Sequence, residues 1–490
     1  MDVIVIGSGF GGLSIAALLS KEHNVTLIEK NEQCGGRASM FKAKGFSFDM
    51  GPSWYLMPEV FENFYNEFNL DVNKELKLIK LDPSYRMFFK NDVVDLSSDI
   101  NKNFELFEKI EKGSSVKLKK YLKQAEYQYN IAMKEFIYKE YNNFGDILNW
   151  RLAVEGSKLN VFQNLDQHVS KYFKNDKIKK ILEYTMVFLG GAPKNTPALY
   201  SIMSHVDLNL GVFYPVGGMN ALAKSMEKIC KKNKVKFVYN DEVKEILVKD
   251  KKAVGVKTLK DFYKADLIVS NADYQHTEMN LIKEKNRTYN KKYWDKRVIA
   301  PSGFILYLGL KKKIKNLDHH NLFLEQDWMD HFNKIFDNPK WPDKFSYYVC
   351  CPSKTDKNVA PKGKENIFVL LPVASGIKDT PEIREKYKNL ILDDMEKRLG
   401  ENIRDNIEYI KIFAHRDFKN RYNAFKGTAL GLSHTLMQTA LFRPKNKSKK
   451  INNLYYTGHY NHPGIGVPMV IISSQILNQK IKNEIKKRKI

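Results

Sequence analysis

The chain begins with the apolar run Val3-Ile4-Val5-Ile6, which leads directly into the glycine-rich run Gly7-Ser8-Gly9-Phe10-Gly11-Gly12. A short run made only of apolar residues predicts a parallel β-strand that is buried on both faces. The apolar residues 13–19 predict a helix after the glycines, and Val25-Thr26-Leu27-Ile28 predicts a second strand. A strand, a tight turn, a helix and a strand within about thirty residues indicate a βαβ unit.

The glycine-rich run has the spacing G-x-G-x-x-G, and it lies between a strand and a helix, as in dinucleotide-binding proteins. Gly7 permits the tight turn, Gly9 lets the backbone approach a pyrophosphate, and Gly12 lets the helix pack closely on the strand. The free N–H groups and the positive dipole end of the helix then face the phosphates. We predict that the whole run contacts the cofactor: Gly7, Ser8, Gly9, Phe10, Gly11 and Gly12.

Glu29 stands at the carboxyl end of the second predicted strand. A carboxylate about twenty residues after the glycine turn can accept hydrogen bonds from the ribose hydroxyls of an adenosine. It would also repel a 2′-phosphate, so the sequence disfavours NADP. A glycine-rich turn that binds no ligand is the alternative, and the combination of strand, turn, helix and carboxylate argues against it.

Residues 29–37 read Glu-Lys-Asn-Glu-Gln-Cys-Gly-Gly-Arg. This segment resembles the second glycine motif of FAD enzymes in the glutathione-reductase and amine-oxidase superfamily, where it lies along the FAD. The resemblance implies cofactor contacts for Lys30, Gly36 and Arg37, with the guanidinium near the pyrophosphate as a two-pronged donor. Dehydrogenases that bind only NAD lack this extension, so FAD is the expected cofactor.

The same resemblance implies the fold class. We expect an α/β protein with a Rossmann-type FAD-binding domain built from discontinuous segments, a mixed-sheet substrate domain and a helical insertion, as in amine oxidases. The expected boundaries are 1–80, 205–285 and 415–490 for the FAD-binding domain, 81–100 and 286–414 for a mostly antiparallel substrate domain, and 101–204 for a helical lid or membrane-facing insertion.

Two further segments resemble carotenoid desaturases. Asp49-Met50-Gly51-Pro52-Ser53-Trp54-Tyr55 is similar to the segment that those enzymes place close to the flavin ring, which implies contacts for Gly51, Pro52 and Ser53. Tyr214-Pro215-Val216-Gly217-Gly218-Met219 is similar to their Pro-x-Gly-Gly-Met signature at the start of a helix. Val243 aligns with the position that contacts the adenine through its backbone.

The strongest resemblance lies in residues 427–444 and in residues 454–468, Leu-Tyr-Tyr-Thr-Gly-His-Tyr-Asn-His-Pro-Gly-Ile-Gly-Val-Pro. On these motifs the chain is identified as a member of the phytoene desaturase-like carotenoid oxidoreductases. Many superfamily members have an acidic residue where this chain has His459, which leaves the ribityl or phosphate contact open. The closing helix would point its positive end at the flavin N1 and C2 carbonyl. The resemblance implies flavin contacts for five residues: Gly458, His459, Gly466, Val467 and Pro468.

The family resemblance implies an FAD-dependent oxidoreductase that acts on CH–CH groups of an apolar polyene such as phytoene or a shorter relative. A hydride would leave an allylic carbon for flavin N5, a proton would leave the neighbouring carbon, and oxygen or a quinone would reoxidise the flavin. No general base can be assigned from the sequence. The alternatives are a carotene isomerase or saturase of the same fold, and a prenyl-lipid escort protein without redox activity, whose flavin fingerprint would be degraded.

The amino-acid composition indicates which partners and which compartment to expect. The 81 Lys and Arg residues against 56 acidic ones give a net charge of +25, which favours an anionic partner. The excess is dispersed and lacks nucleic-acid-binding motifs, so a solvated surface or peripheral contact with an anionic membrane is expected, and nucleic acid is not. No apolar run reaches the length of a membrane span. Four cysteines, two of them adjacent, fit a reducing cytoplasmic setting.

Histidines could suggest a metal, but we expect none. His319 and His320 are adjacent and cannot share one helical face, and His459 and His462 lie in a glycine-rich loop. Among the other elements, the sequence predicts helices over residues 56–80, from Ser114 or Ser115 to about 141, around 165–189, over 381–399, and from near Pro468 to the basic end of the chain. The lysine-rich start of the second helix and the basic end are candidate membrane contacts.

Overall fold

The computed structural model of the protein describes residues 1–141, 163–187, 189–325 and 327–489, with the side chains of 488 and 489 left out. Residues 142–162, in the predicted helical insertion, lie outside this description. The described residues form the expected α/β arrangement of a parallel sheet with helices and a separate mixed sheet.

The parallel sheet is assembled from segments that are far apart in sequence. Its two faces bury different side chains, because Val3 and Val5 face the long helices while Ile4 and Ile6 face a small antiparallel sheet. Such burial on both faces explains why the strands are wholly apolar. Within the described residues the strand order is Leu454–Tyr456, Leu267–Ser270, Asp2–Ile6, Asn24–Ile28 and Lys236–Val238.

Three helices cover one face of the parallel sheet: Phe10–Leu19, Met219–Lys232 and Val467–Lys489. The other face is covered by the strands Val243–Lys249, Lys252–Thr258 and Phe262–Lys264. All of these elements fall inside the segments that we assign to the FAD-binding domain. The predicted closing helix is confirmed, and it begins one residue before Pro468.

The second sheet is antiparallel except where His320–Phe323 runs parallel to Tyr85–Phe88. The helix Pro381–Leu399, predicted over these residues, covers one face and begins at an N-cap threonine, Thr380. The other face turns toward the helical insertion. The strand order is Ile407–Phe413, Ser302–Leu310, Glu365–Val373, Tyr347–Cys350, His320–Phe323, Tyr85–Phe88 and Val93–Leu96.

The helical insertion differs in detail from the sequence prediction. The helix Ser114–Ile131 is preceded by Gly113, which has a positive φ of 80°, so neither serine is the N-cap. At Ala132 the backbone changes to a wider π-helical turn. The predicted helix around 165–189 is broken after Tyr172, because Asn175 caps a new helix. The described helices are Ile100–Ile110, Ser114–Ile131, Leu165–Tyr172 and Asp176–Glu183.

The prediction of helical structure over residues 56–80 was right for its first part and wrong at its end. Helices occupy Pro58–Asn66 and Val72–Glu75, and Leu78–Lys80 is a strand. That strand pairs with Phe213–Pro215, a partner more than a hundred residues away that no local pattern reveals. A hairpin of Met40–Ala43 and Phe46–Asp49 precedes these elements, and the helices Trp328–Phe336 and His415–Tyr422 complete the longer elements of the described chain.

Candidate functional site

The glycine turn has the geometry that its sequence predicts. Gly7 has a φ of +89°, and its N–H donates to the carbonyl of Ile28 at 2.8 Å, which ties the turn to the second strand. A Cβ on Gly12 would lie 1.9 Å from the Gly7 carbonyl oxygen, so only glycine fits there. The helix Phe10–Leu19 starts after Gly9 with no side-chain cap, which leaves its first N–H groups free for phosphates.

Glu29 is buried and already heavily hydrogen-bonded. One carboxylate oxygen accepts from the Ser8 N–H at 2.7 Å and the Ser8 hydroxyl at 2.8 Å. The other accepts from the backbone and side-chain amides of Asn31, both at 2.9 Å. A carboxylate has about four acceptor positions. A ribose hydroxyl would therefore replace one of the two side-chain donors rather than add to a free carboxylate.

Arg37 and Lys30 have different surroundings. The Arg37 Nη2 donates to the Thr428 carbonyl at a long 3.4 Å, and its Nε is buried with no partner among the described residues. An unpaired buried guanidinium N–H is costly and fits a phosphate. The Lys30 amine instead donates to the Asn420 carbonyl and the Asn423 side chain, so a cofactor contact for it remains a prediction.

The flavin-proximal segment predicted around Gly51 packs against Arg37, since a Cβ on Gly51 would lie 2.6 Å from the Arg37 carbonyl oxygen. The Ser53 hydroxyl is 2.8 Å from the Tyr348 hydroxyl. The preceding Asp49 has a role that the sequence reasoning missed. Its carboxylate accepts the N–H of Met219 at 2.6 Å and thereby caps the helix that follows the Gly-Gly pair, while burial raises the pKa of Asp49 to about 7.

The closing loop brings His459 into the site. Its Nε2 is buried with no partner in the described chain, and burial holds its pKa well below the usual range, so the ring is neutral. Arg443 fixes this loop from behind, although burial lowers its pKa to about 10. Its guanidinium donates to five backbone carbonyls, those of Leu432, Gln438, His459, Tyr460 and Asn461.

A tyrosine and a histidine that the sequence reasoning did not single out also line this region. The backbone N–H of Ile465 donates to the Nε2 of His434 at 3.0 Å, so that nitrogen carries no proton. The proton of the neutral ring is then on Nδ1, which donates to the Tyr200 hydroxyl at 2.7 Å. The pair is recognisable only in three dimensions, because its members are 234 positions apart.

A single cavity of about 770 Å³ joins these elements. Three of the predicted cofactor contacts, Ser8, Gly12 and Gly458, do not line this cavity. The others line it: Gly7, Gly9, Phe10, Gly11, Glu29, Lys30, Gly36, Arg37, Gly51, Pro52, Ser53, Val243, His459, Gly466, Val467 and Pro468. The cavity continues into a mainly apolar region: Leu56, Met57, Phe136, Ile137, Leu189, Leu199, Ile202, Met203, Val206, Ile305, Phe368 and Leu370.

The residues fit FAD. The unpaired Arg37 Nε and His459 Nε2 are buried polar atoms that a bound cofactor can satisfy. Gly466 has a φ of +114° at the start of the helix Val467–Lys489, whose N-terminal residues line the same cavity. Fold and site together define an FAD-dependent oxidoreductase.

Comparison with known proteins narrows this class. The family described as flavin containing amine oxidoreductase matches residues 10–480. The chain is 45% identical to a carotenoid 3,4-desaturase of Haloarcula japonica, over 97% of this chain and 96% of the relative. It is 32% identical to a 4,4'-diapophytoene desaturase (4,4'-diaponeurosporene-forming) of Staphylococcus haemolyticus, over 99% of both chains.

A solved structure of an oxidoreductase from Methanosarcina mazei has the same fold, with a TM-score of 0.66 at 16% identity over 98% of this chain and 100% of that chain. The protein therefore belongs to the flavin-containing amine oxidoreductase family and, within it, to the carotenoid desaturases. Among the helices of the described ranges, none has the length and apolar character that crossing a bilayer requires.

Proposed function

We propose that this protein is a carotenoid desaturase that uses FAD to introduce a double bond into a long apolar polyene. The observation that carries the proposal is the continuity of the cavity. The same space is lined by the dinucleotide-binding turn at one end and by aliphatic and aromatic side chains of the helical insertion at the other. A flat redox ring and a hydrocarbon chain can thus meet without either leaving the protein.

Different segments of the site bind different parts of the cofactor. Bound FAD supplies the acceptor for the hydride that leaves the substrate. The N–H groups at the start of the helix Phe10–Leu19 and the Arg37 guanidinium hold its phosphates, and the start of the helix Val467–Lys489 presents a positive dipole end to the ring. The cofactor contacts named above are proposals in the same sense, including the backbone of Val243 for the adenine.

The apolar region binds substrate by removing it from water, which stabilises the complex by about 25 cal/mol per Å² of apolar surface. The charged side chains of the cavity wall lie on the segments that form its dinucleotide end, including Glu29, Arg37 and Asp273. Around the apolar end, the polar side chains of the described wall include the uncharged groups Tyr200, His434 and Thr439. Substrate selection there rests on shape and apolar contact.

A peripheral membrane contact is part of the proposal, because the substrate is a lipid. Leu436 lines the cavity and is 48% exposed, and the neighbouring Met437 is 62% exposed, so we place the mouth of the cavity at these two residues. These two side chains are better candidates for membrane contact than the helix Ser114–Ile131, whose apolar residues Leu118 and Leu122 are buried in the core. Oxygen or a quinone is the proposed acceptor for the electrons.

The product mass tests the proposal. Protein loaded with FAD is incubated with phytoene, or with a more conjugated carotenoid, in liposomes with oxygen or a quinone. Desaturation lowers the mass by two hydrogens and shifts absorbance to longer wavelength. An unchanged mass with a changed retention time would indicate an isomerase, and a gain of two hydrogens a saturase. A colourless protein that takes up no FAD would favour the lipid escort; each of these outcomes contradicts the proposal.

A further inference from the structure

Two histidines and a cysteine meet outside the flavin site. His319 and His320 precede and begin the strand His320–Phe323, and Cys350 ends the neighbouring strand Tyr347–Cys350, directly opposite His320 in the antiparallel register. A ligand atom of each of the three residues lies within 4.8 Å of those of the other two. These histidines are not on a helix, so their adjacency in sequence does not keep them from sharing a ligand.

The hydrogen bonds of the two imidazoles leave the same nitrogen available on each. The Nδ1 of His319 is 2.7 Å from the Thr355 hydroxyl, and the Nδ1 of His320 is 2.6 Å from the Tyr348 hydroxyl. Both Nε2 atoms are buried with no partner among the described residues. If each Nδ1–H donates to its hydroxyl, each Nε2 presents a lone pair, which is the arrangement found in histidines that bind metals.

The protonation states agree with this arrangement. Burial lowers the pKa of His319 to about 3 and holds that of His320 far below its usual range, so both rings are neutral. Burial raises the pKa of the Cys350 thiol to about 12, so the free thiol keeps its proton and a divalent cation would displace that proton to solvent.

Negative charge and space are available for the cation. The buried Asp356 lies close enough to act on His319, and the half-buried Asp49 lies close enough to act on Cys350. A small cavity of about 30 Å³ that Cys350 lines has room for one water molecule. Two imidazoles, a thiolate and a water are a tetrahedral donor set typical of Zn²⁺.

We propose that His319, His320 and Cys350 form a zinc site that supports the wall of the flavin cavity. The Trp54 ring lies flat on His320, with centroids 4.2 Å apart, and Trp54 lines the cavity. A hydrogen-bonded chain also runs from His320 through the Tyr348 hydroxyl to Ser53, which is in the segment predicted to contact the flavin. The ion fixes the orientation of His320 and, through it, both neighbours.

The test uses adjacent cysteines as a matched pair. Three FAD-loaded proteins are purified without chelator: the wild type, Cys350→Ser and Cys351→Ser. Elemental mass spectrometry then measures the zinc content per chain. Cys351 is equally buried and lies outside the cluster. We expect one zinc per chain in the wild type and in Cys351→Ser. In Cys350→Ser the affinity for added Zn²⁺ should fall more than about 100-fold, beyond the typical loss from an outer partner.

A milder variant guards against misfolding. Thr355→Val removes only the hydrogen bond to His319 and should weaken Zn²⁺ binding by roughly 10–100-fold. Co²⁺ added to metal-free wild-type protein should give absorption bands of tetrahedral cobalt in the red, where oxidised flavin does not absorb. Wild-type protein that holds no zinc and gives no such bands overturns the proposal, as does equal zinc loss in Cys350→Ser and Cys351→Ser, or copper in place of zinc.

Discussion

The two ends of the cavity are built by different rules. The dinucleotide end is made mainly of backbone, in the form of glycine turns and helix N-termini. A few charged side chains such as Glu29 and Arg37 complete it. The apolar end is made of side chains from the helical insertion and the second sheet, including Leu199, Met203 and Leu370. A cofactor with phosphates demands a particular backbone geometry, whereas a hydrocarbon demands only volume and shape. The first end therefore tolerates substitution less than the second.

The largest effect is expected at the glycine turn. In Gly9→Val the new side chain would enter the space that the pyrophosphate needs, and FAD affinity should fall more than about 100-fold. Bound FAD per chain is measured by equilibrium dialysis with added FAD. Gly363→Ala is the control, because a Cβ there meets no atom within 4 Å; the φ of +81° costs an alanine about 1–2 kcal/mol of stability, but the variant should keep its FAD. Full FAD content in Gly9→Val would mean that the turn does not hold the cofactor.

The next largest effect on FAD affinity is expected from the charge of Arg37 at the same end. Arg37→Ala removes a buried, charge-assisted donor worth about 1.5–3 kcal/mol, so FAD binding should weaken by roughly 10–100-fold. Arg37→Lys keeps the charge but lacks the fork, and it should recover only part of the affinity. Titration of the flavin-free protein with FAD measures both. Unchanged affinity in Arg37→Ala would remove the arginine from the cofactor site.

At the apolar end, a substitution should impair turnover of the polyene and leave FAD binding unchanged. Met203→Trp adds volume to the substrate part of the cavity, so kcat/KM for the polyene should fall about tenfold, by about 1.4 kcal/mol, while FAD content is unchanged. Met329→Trp is the matched control, since Met329 packs in the same core cluster but does not line the cavity. If Met203→Trp loses FAD instead, the division between the two ends is wrong.

A buried carboxyl beside the apolar end gives a pH test. Burial raises the pKa of Asp207 to about 7, and its carboxylate accepts from the Tyr85 hydroxyl at 2.6 Å. Because the folded state holds the proton more tightly than the unfolded state, Asp207 contributes stability at low pH that is lost as the pH rises through about 7.

The isosteric Asp207→Asn cannot ionise and escapes this loss. The free energy of unfolding of the variant minus that of the wild type should therefore rise by about 1 kcal/mol between about pH 6 and 8. Denaturant unfolding at both pH values measures it, with secondary structure by circular dichroism as the fold control. A difference that does not change with pH would mean that Asp207 is ionised throughout.

The smallest effect is expected at the cavity mouth. Leu436 and Met437 are exposed, and exchanging both for serine should lower partition to anionic liposomes only a few-fold, because each partly inserted side chain contributes on the order of 0.5 kcal/mol. The exposed Val116 on the helix Ser114–Ile131 gives the control Val116→Ser, which should leave partition unchanged. If partition to liposomes falls equally in the double serine variant and in Val116→Ser, the membrane contact lies elsewhere.

What the sequence predicts follows the same division. The glycine turn, Glu29, Arg37 and the closing Gly466-Val467-Pro468 segment were predicted from local motifs, and residues of each line the same cavity; their contacts with FAD stay a prediction. The strand Leu78–Lys80 was predicted as helix, because its pairing partner is remote in sequence.

The contacts that needed the fold are also remote. Asp49 caps a helix 170 positions away, and the pair of Tyr200 and His434 assembles only in three dimensions. The cluster of His319, His320 and Cys350 depends on the register of two strands, so reasoning about helical faces could not find it.

A single-turnover reaction without oxygen tests most directly whether flavin and polyene share the cavity. FAD-loaded protein is mixed anaerobically with carotenoid in liposomes, with no quinone, and oxidised-flavin absorbance is followed together with the product. The shared cavity predicts that the flavin bleaches in step with product, one new double bond for each FAD reduced. Flavin that stays oxidised while bound polyene is present, or product that forms without bleaching, would contradict it.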